Sequence, residues 1–182
     1  MSKIIMVTGG ARSGKSEFAE KLARERGVPV LYVATAKAND EEMEERVKLH
    51  RERRPVDWET MEAPEGLNER LLEKNSDDEG GPCLILLDCV TVYISNFLVK
   101  NWDNWDYSKE KEIEAEFKKV IGTINNNDLE IIIVTNEVGF GLVPEYKMGR
   151  VFRDLAGKVN KLIADSADEV YLVLAGQPKR FK

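Results

Sequence analysis

KIIMVTGGARSGKSEFAEKL, residues 3–22, decides how this chain folds. Its opening KIIMVT (3–8) is almost wholly apolar, as a strand buried on both faces requires. GGARSGKS (9–16) then fits the pattern G-x-x-x-x-G-K-[ST], and SEFAEKLARER (16–26) continues as a helix with Phe18, Ala19 and Leu22 available for packing. Gly9 and Gly14 allow backbone conformations that turn successive N–H groups inward, and a helix N-terminus adds partial positive charge. Around Gly9, Gly10, Ala11, Arg12, Ser13 and Gly14 this builds a cradle for phosphate oxygens. Lys15 can reach β- and γ-phosphates, and the Ser16 hydroxyl can ligate Mg²⁺. A plain glycine turn with an incidental lysine would not need the strand before it and the helix after it.

Working outward, four more apolar runs follow: PVLYVAT (29–35), CLILLD (83–88), EIIIVT (130–135) and EVYLVLA (169–175). Between them lie longer stretches with helical periodicity. Met148, Val151, Phe152, Leu155, Val159, Leu162 and Ile163 form one stripe; Ile113, Phe117, Val120, Ile121 and Ile124 form another. This alternation predicts an α/β protein of the P-loop NTPase type, three layers with a mostly parallel central sheet, as a single domain over residues 1–182. NSDDEGGP (75–82) and NNND (125–128) read as turns before strands. NWDNWDY (101–107) reads as a surface loop whose tryptophans serve packing or a subunit contact.

The bulk properties exclude several classes. With 182 residues, 42% apolar and 33% charged, the chain has the composition of a folded globular protein. A net charge of −6 argues against a dedicated nucleic-acid binder, so any cationic site must be local. An extended run from Cys83 to Cys89 spans about 20 Å, beyond disulfide reach. Reduced thiols, no apolar run near the length of a membrane span, and no signal-peptide pattern give a cytoplasmic expectation.

Three further positions carry chemistry. Asp88 ends an apolar strand, where a carboxylate can hold the metal of a nucleotide site or instead cap the following helix. Glu137, in TNEVG (135–139), could act as a base or merely fix the next loop. The only histidine, His50, sits in NDEEMEERVKLHRER (39–53), which reads as a helix capped by Asn39 with Glu42 three residues on. Met43, Val47 and His50 share one face, with Arg46 and Arg53 one helical turn away from the imidazole. A histidine bordering the core beside a solvated cationic face is the plain account. The alternative uses the arginines: nearby cations disfavour imidazole protonation, preserving a nucleophile, and can bind phosphate oxygens.

VTGGARSGKS (7–16), LYVATA (31–36), DEEMEERVKLHRERRPVDWETME (40–62), LLDCVT (86–91), VTNEVGFGLVPE (134–145) and FRDLAGKVN (152–160) occur in the order and spacing of one family. The chain resembles the bifunctional adenosylcobinamide kinase / adenosylcobinamide-phosphate guanylyltransferases of cobalamin assembly. The H-x-x-x-R-P segment and TNEVG-x-G-x-VPE carry the likeness more specifically than the phosphate loop does. It implies transfer of a γ-phosphate from GTP or ATP to adenosylcobinamide, then attachment of GMP through a GMP–histidine at His50. It also implies nucleotide contacts at residues 9–16, at Ala34, Thr35 and Ala36, at Arg51, Glu52, Arg53 and Arg54, and at Glu62 and Asp88. Lys15 and, as a weaker candidate, Glu137 would join His50 in catalysis, with Mg²⁺ at Ser16 and Asp88 and a homotrimeric assembly. Ala36 stands where serine is frequent, Arg53 where a small residue is, and Asp88 is one methylene shorter than the frequent glutamate. A P-loop kinase for another small hydroxylated metabolite, without guanylyl transfer, is the nearest rival; a nucleotide-driven interaction module is the rival from another class.

Overall fold

A computed structural model describes residues 2–37, 54–77 and 84–182. Seven strands make one sheet: β1 (Lys3–Gly9), β2 (Val30–Ala34), β3 (Glu59–Glu62), β4 (Leu84–Asp88), β5 (Glu130–Val134), β6 (Glu169–Leu174) and β7 (Gln177–Arg180). Their order is β3-β2-β4-β5-β1-β6-β7. Every pairing is parallel except β6 with β7. The helices are α1 (Lys15–Glu25), α2 (Leu67–Asp77), α3 (Val90–Asn101), α4 (Tyr107–Asn126) and α5 (Lys147–Ser166). The expected α/β architecture with a mostly parallel sheet is present.

Alternate strand residues feed two cores. Ile4, Met6, Leu31, Val33, Ile85, Leu87, Ile131 and Ile133 face a layer built from α2, α3, α4 and α5, with Phe117 fully buried at its centre. Ile5, Val7, Val30, Tyr32, Leu84, Leu86, Ile132 and Val134 face Ala19 and Ala23 of α1. The two helical stripes behave as their spacing predicts: Ile113, Phe117, Val120 and Ile124, and Leu155, Val159 and Ile163, are all buried. α4 starts at Asp106, whose carboxylate accepts the N–H groups of Ser108 at 2.8 Å and Lys109 at 3.3 Å. Those hydrogen bonds, led by that from the Ser108 hydroxyl, hold the Asp106 carboxyl below its ordinary range.

Several local expectations need correction. β3 (ETME) and β7 (QPKR) are strands without an apolar run, because an edge strand meets solvent on most of its surface. Residues 75–77 finish α2 rather than forming a turn, and Asn125 and Asn126 finish α4. The tryptophan segment is a corner between helices: Trp102–Asn104 form one 3₁₀ turn, and Trp102 stacks on Trp105 at 6.4 Å. Trp105 also meets Phe97 edge-on at 6.2 Å and packs against the four-helix core, so packing accounts for it.

Candidate active site

The loop from Gly9 to Gly14 joins β1 to α1 with little room for side chains. A Cβ on Gly9 would lie 2.5 Å from the Val173 carbonyl oxygen and 2.6 Å from Ser13 Oγ. Gly14 is the N-cap of α1 and adopts the left-handed region, φ 90°, where a Cβ would stand 3.3 Å from Gly176 Cα. The Gly176 N–H donates to the Ser13 carbonyl at 2.8 Å, so the β6–β7 turn braces the loop from one side. No side chain caps α1, leaving its first N–H groups free for an anion. Lys15 is buried, and its ammonium folds back across the loop to the Gly10 carbonyl at 3.1 Å. Burial lowers its pKa, while Cys89 and Asp88 pull in the opposite direction. Ser13 Oγ and Thr8 Oγ1 are buried without a hydrogen-bond partner among the described residues.

Register places a second set of residues beside the loop at the carboxyl edge of the sheet. Ala34 lies opposite Glu62 on one side and Asp88 on the other, and Asp88 lies opposite Val134. Open parallel sheets bind ligands at this edge. Asp88 does not cap α3, whose N-cap is Cys89 with no side-chain bond. Its Oδ2 instead accepts the hydroxyl of buried Tyr32 at 2.9 Å. Burial, then the Asp88 charge, raises the Tyr32 pKa. Thr35 Oγ1 donates to the Cys89 carbonyl at 2.8 Å and accepts the Cys89 N–H at 2.9 Å, pinning the end of β2 to the end of β4. Asn96 holds the Thr35 carbonyl at 2.8 Å, which fixes the backbone leading to Ala36. The Cys89 thiol is pushed up to about 11 by burial and by Asp88. Burial and the neighbouring carboxylate thus favour the neutral thiol.

Arg54 lies with its guanidinium carbon 3.3 Å from the Tyr32 ring centroid. Its Nε and Nη1 are buried and have no hydrogen-bond partner among the described residues. Two buried, unsatisfied donors on a fixed cation suit an anionic ligand. For a metal, the available donors are the Ser16 hydroxyl and the Asp88 carboxylate. Among the described residues no group of three or more His, Cys, Asp or Glu could hold an ion alone. Two hard oxygens beside a phosphate cradle fit Mg²⁺, which keeps waters and shares phosphate oxygens.

At the end of β5 the Glu137 N–H donates to the Gly9 carbonyl at 3.0 Å, tying this loop to the phosphate loop. The Glu137 carboxylate accepts the Gly139 N–H at 2.6 Å, so it does fix its own loop. Arg153 holds the Gly139 carbonyl at 2.9 Å. Behind it, Thr135 donates to Asn160 at 2.7 Å, Asn160 to the Asn136 carbonyl at 3.0 Å, and Asn136 to Thr91 at 2.6 Å. His50, Arg51, Glu52, Arg53 and the helix expected over 39–53 lie outside the described residues.

The family model for cobinamide kinase / cobinamide phosphate guanyltransferase matches residues 5–181. This chain belongs to that family. The bifunctional adenosylcobalamin biosynthesis protein CobU of Escherichia coli K12 is 42% identical over 179 residues, covering 95% of this chain and 96% of that protein. CobU of Salmonella typhimurium LT2 is 40% identical with the same coverage, and CobP of Pseudomonas aeruginosa PAO1 is 38% identical, covering 97% and 96%. The solved structure of a KaiC-like protein, PH0186 from Pyrococcus horikoshii OT3, superposes with a TM-score of 0.51 at 14% identity, over 94% of this chain and 70% of that one. That likeness speaks for the fold alone.

In this cobinamide kinase / guanyltransferase chain, Lys15, Ser16, Ala34, Thr35, Glu62, Asp88 and Glu137 stand at the carboxyl edge of the sheet or in the segments leaving it, and Arg54, from the segment entering β3, lies on the Tyr32 ring. The residues that sequence reasoning did not single out are Tyr32, Thr91, Asn96 and Asn160. One signal was available: Tyr32 is the lone hydroxyl inside the VLYVA strand. Its partner, Asp88, is 56 residues away, a distance no local pattern bridges.

Proposed function

We propose that this chain phosphorylates the hydroxyl of adenosylcobinamide and then carries GMP from GTP to the resulting phosphate through His50, giving adenosylcobinamide-GDP. The observation that carries this reading is the phosphate cradle at residues 9–16 with Asp88 beside it, in a chain matched from residue 5 to 181 by the family model. In the first reaction the loop N–H groups and Lys15 hold the β- and γ-phosphates of GTP or ATP. The substrate alcohol attacks the γ-phosphorus, its proton leaves to base or solvent, and the nucleoside diphosphate departs. Glu137 is the candidate base; one of its oxygens already accepts Gly139 N–H, which orients the other.

In the second reaction the neutral His50 imidazole attacks the α-phosphorus of GTP and pyrophosphate leaves. An oxygen of adenosylcobinamide phosphate then attacks the phosphorus of the GMP–histidine, freeing the imidazole. Arg51, Arg53 and Arg54 supply positive charge for the phosphates, and Arg54 has two buried donors for it. Glu52 and Glu62 accompany them as nucleotide contacts. Mg²⁺, held by Ser16 and Asp88, would neutralise charge on the leaving diphosphate or pyrophosphate. The acting form is a cytoplasmic homotrimer that binds no nucleic acid and does not insert into a membrane.

Two labels separate the steps. With γ-labelled GTP and adenosylcobinamide, label should move to the corrinoid in wild type and in His50→Ala. With α-labelled GTP, label should reach the corrinoid only in wild type. A protein that transfers γ-label but never α-label is a simple kinase, and the guanylyl step is then wrong.

A further inference from the structure

We propose that Tyr32 is a positioning residue that holds two parts of the nucleotide site with one side chain: Asp88 through its hydroxyl and Arg54 through its ring face. The inference rests on the reading of Asp88 as the carboxylate on the magnesium side.

Tyr32 sits in the middle of β2 and is 2% exposed, so its ring cannot swing out to solvent. Its neighbours across the sheet are Leu86 on β4 and Thr60 on β3. Packing against α1 needs only an apolar side chain here; Val30, two residues earlier on the same face, shows that. A phenol buried without need carries a desolvation cost, which its hydrogen bond offsets. That bond runs to Asp88 Oδ2, the last residue of β4. Asp88 is two strand positions nearer the carboxyl edge than Leu86, the register partner of Tyr32. The hydroxyl therefore reaches diagonally toward the site edge and fixes one carboxylate oxygen, Oδ2, so that Oδ1 is the oxygen left for a metal. A short aspartate benefits from such a tether because its own reach cannot select an orientation.

The ring has a separate use. Arg54 lies 3.3 Å from the ring centroid, close enough for cation–π attraction and flat stacking. That contact uses the π face and leaves the guanidinium donors Nε and Nη1 without partners among the described residues. The stacked geometry thus restrains the cation without consuming its hydrogen bonds. Tyr32→Phe severs only the hydroxyl tether, and Arg54→Leu removes only the stacked cation.

The test uses the full-length protein, with Mn²⁺ as the paramagnetic probe for the metal and a non-hydrolysable GTP analogue. Free Mn²⁺ is read by electron paramagnetic resonance. For Tyr32→Phe, Mn²⁺ affinity of the analogue complex should fall about 10- to 100-fold, the usual effect of removing an outer-shell partner of a metal ligand. Analogue affinity in EDTA should stay within about two-fold, because the ring still supports Arg54. Arg54→Leu should show the reverse: weaker analogue binding in EDTA, with Mn²⁺ affinity at saturating analogue unchanged. In Asp88→Asn, adding Tyr32→Phe should cost no further Mn²⁺ affinity, whereas a purely structural tyrosine would give additive losses. The proposal is overturned if Tyr32→Phe binds Mn²⁺ like wild type, or if Arg54→Leu loses Mn²⁺ affinity as much as Tyr32→Phe does. If wild type itself shows no metal-strengthened analogue binding, the magnesium-site reading fails as well, and that outcome is distinct.

Discussion

The two faces of the sheet differ in what covers them. One face lies under α2, α3, α4 and α5, and its core includes Phe117, Ile94, Leu67 and Leu155, all nearly or wholly buried. The other lies under α1 alone among the described helices, with Trp58 and Tyr171 closing part of its margin. Every charged or hydroxyl-bearing group just described around Tyr32 belongs to the thinner face or its carboxyl edge: Lys15 at the start of α1, Arg54 on the ring, Asp88 at the end of β4. The thick face is built for cohesion. Among the described residues the thin face has one helix, and no side chain caps its N-terminus. Stability and chemistry should accordingly separate in mutants.

The largest test breaks the thick face. Phe117→Ala removes a fully buried ring and should cost about 3–5 kcal/mol in urea unfolding. Turnover per folded molecule, measured at low temperature, should hardly change. A large kinetic defect in the folded fraction would show that the two faces are not separable. The converse is Lys15→Met. If the Lys15 ammonium binds phosphate as proposed, its loss should slow both transfers about 100- to 1,000-fold. Melting should not fall, because burial already works against this charge.

A third variant sharpens the boundary between the faces. Gly14→Ala must adopt a left-handed backbone at φ 90° and press toward Gly176. A penalty of about 1–2 kcal/mol is expected, and nucleotide affinity, followed by calorimetry, should weaken about ten-fold. The smallest effect concerns Glu65, which pairs with Lys37 after β2 and with Lys100 near the end of α3. Hydrogen bonds from Lys100 and then Lys37 draw its pKa from 4.5 down to about 2. A lowered carboxyl pKa stabilises the fold above the unfolded value and loses that contribution as pH falls through the folded one. Wild type should therefore exceed Glu65→Gln in stability at neutral pH, by a small margin that salt erodes because the group is partly exposed. The gap should close between pH 4.5 and about 2.

How much of this could be read in the sequence depended on whether the signal was local. β1, the phosphate loop and α1 are contiguous, and glycines at fixed spacing followed by Lys15 leave few alternatives. The apolar runs of β2, β4 and β5 were equally plain because central parallel strands are buried on both sides, whereas β6 kept its apolar run although it is mostly half-buried beside the antiparallel edge strand β7. β3 and β7 escaped notice since exposed edges need no apolar residues, and α2 and α3 because neither presented a stripe as regular as those of α4 and α5. Asp88 stood out by position, but which of its uses prevails depends on Tyr32, a neighbour only in space. Glu137 is similar: its bond to Gly139 is local, whereas its tie to Gly9 comes from the pairing of β1 with β5.

The most direct measurement is the mass of the intact protein after incubation with GTP and Mg²⁺, with digestion to locate any addition. One GMP should be found on wild type, attached at His50, and none on His50→Ala. An unmodified wild-type mass under conditions where corrinoid phosphorylation proceeds, or an adduct that persists in His50→Ala, would contradict the account.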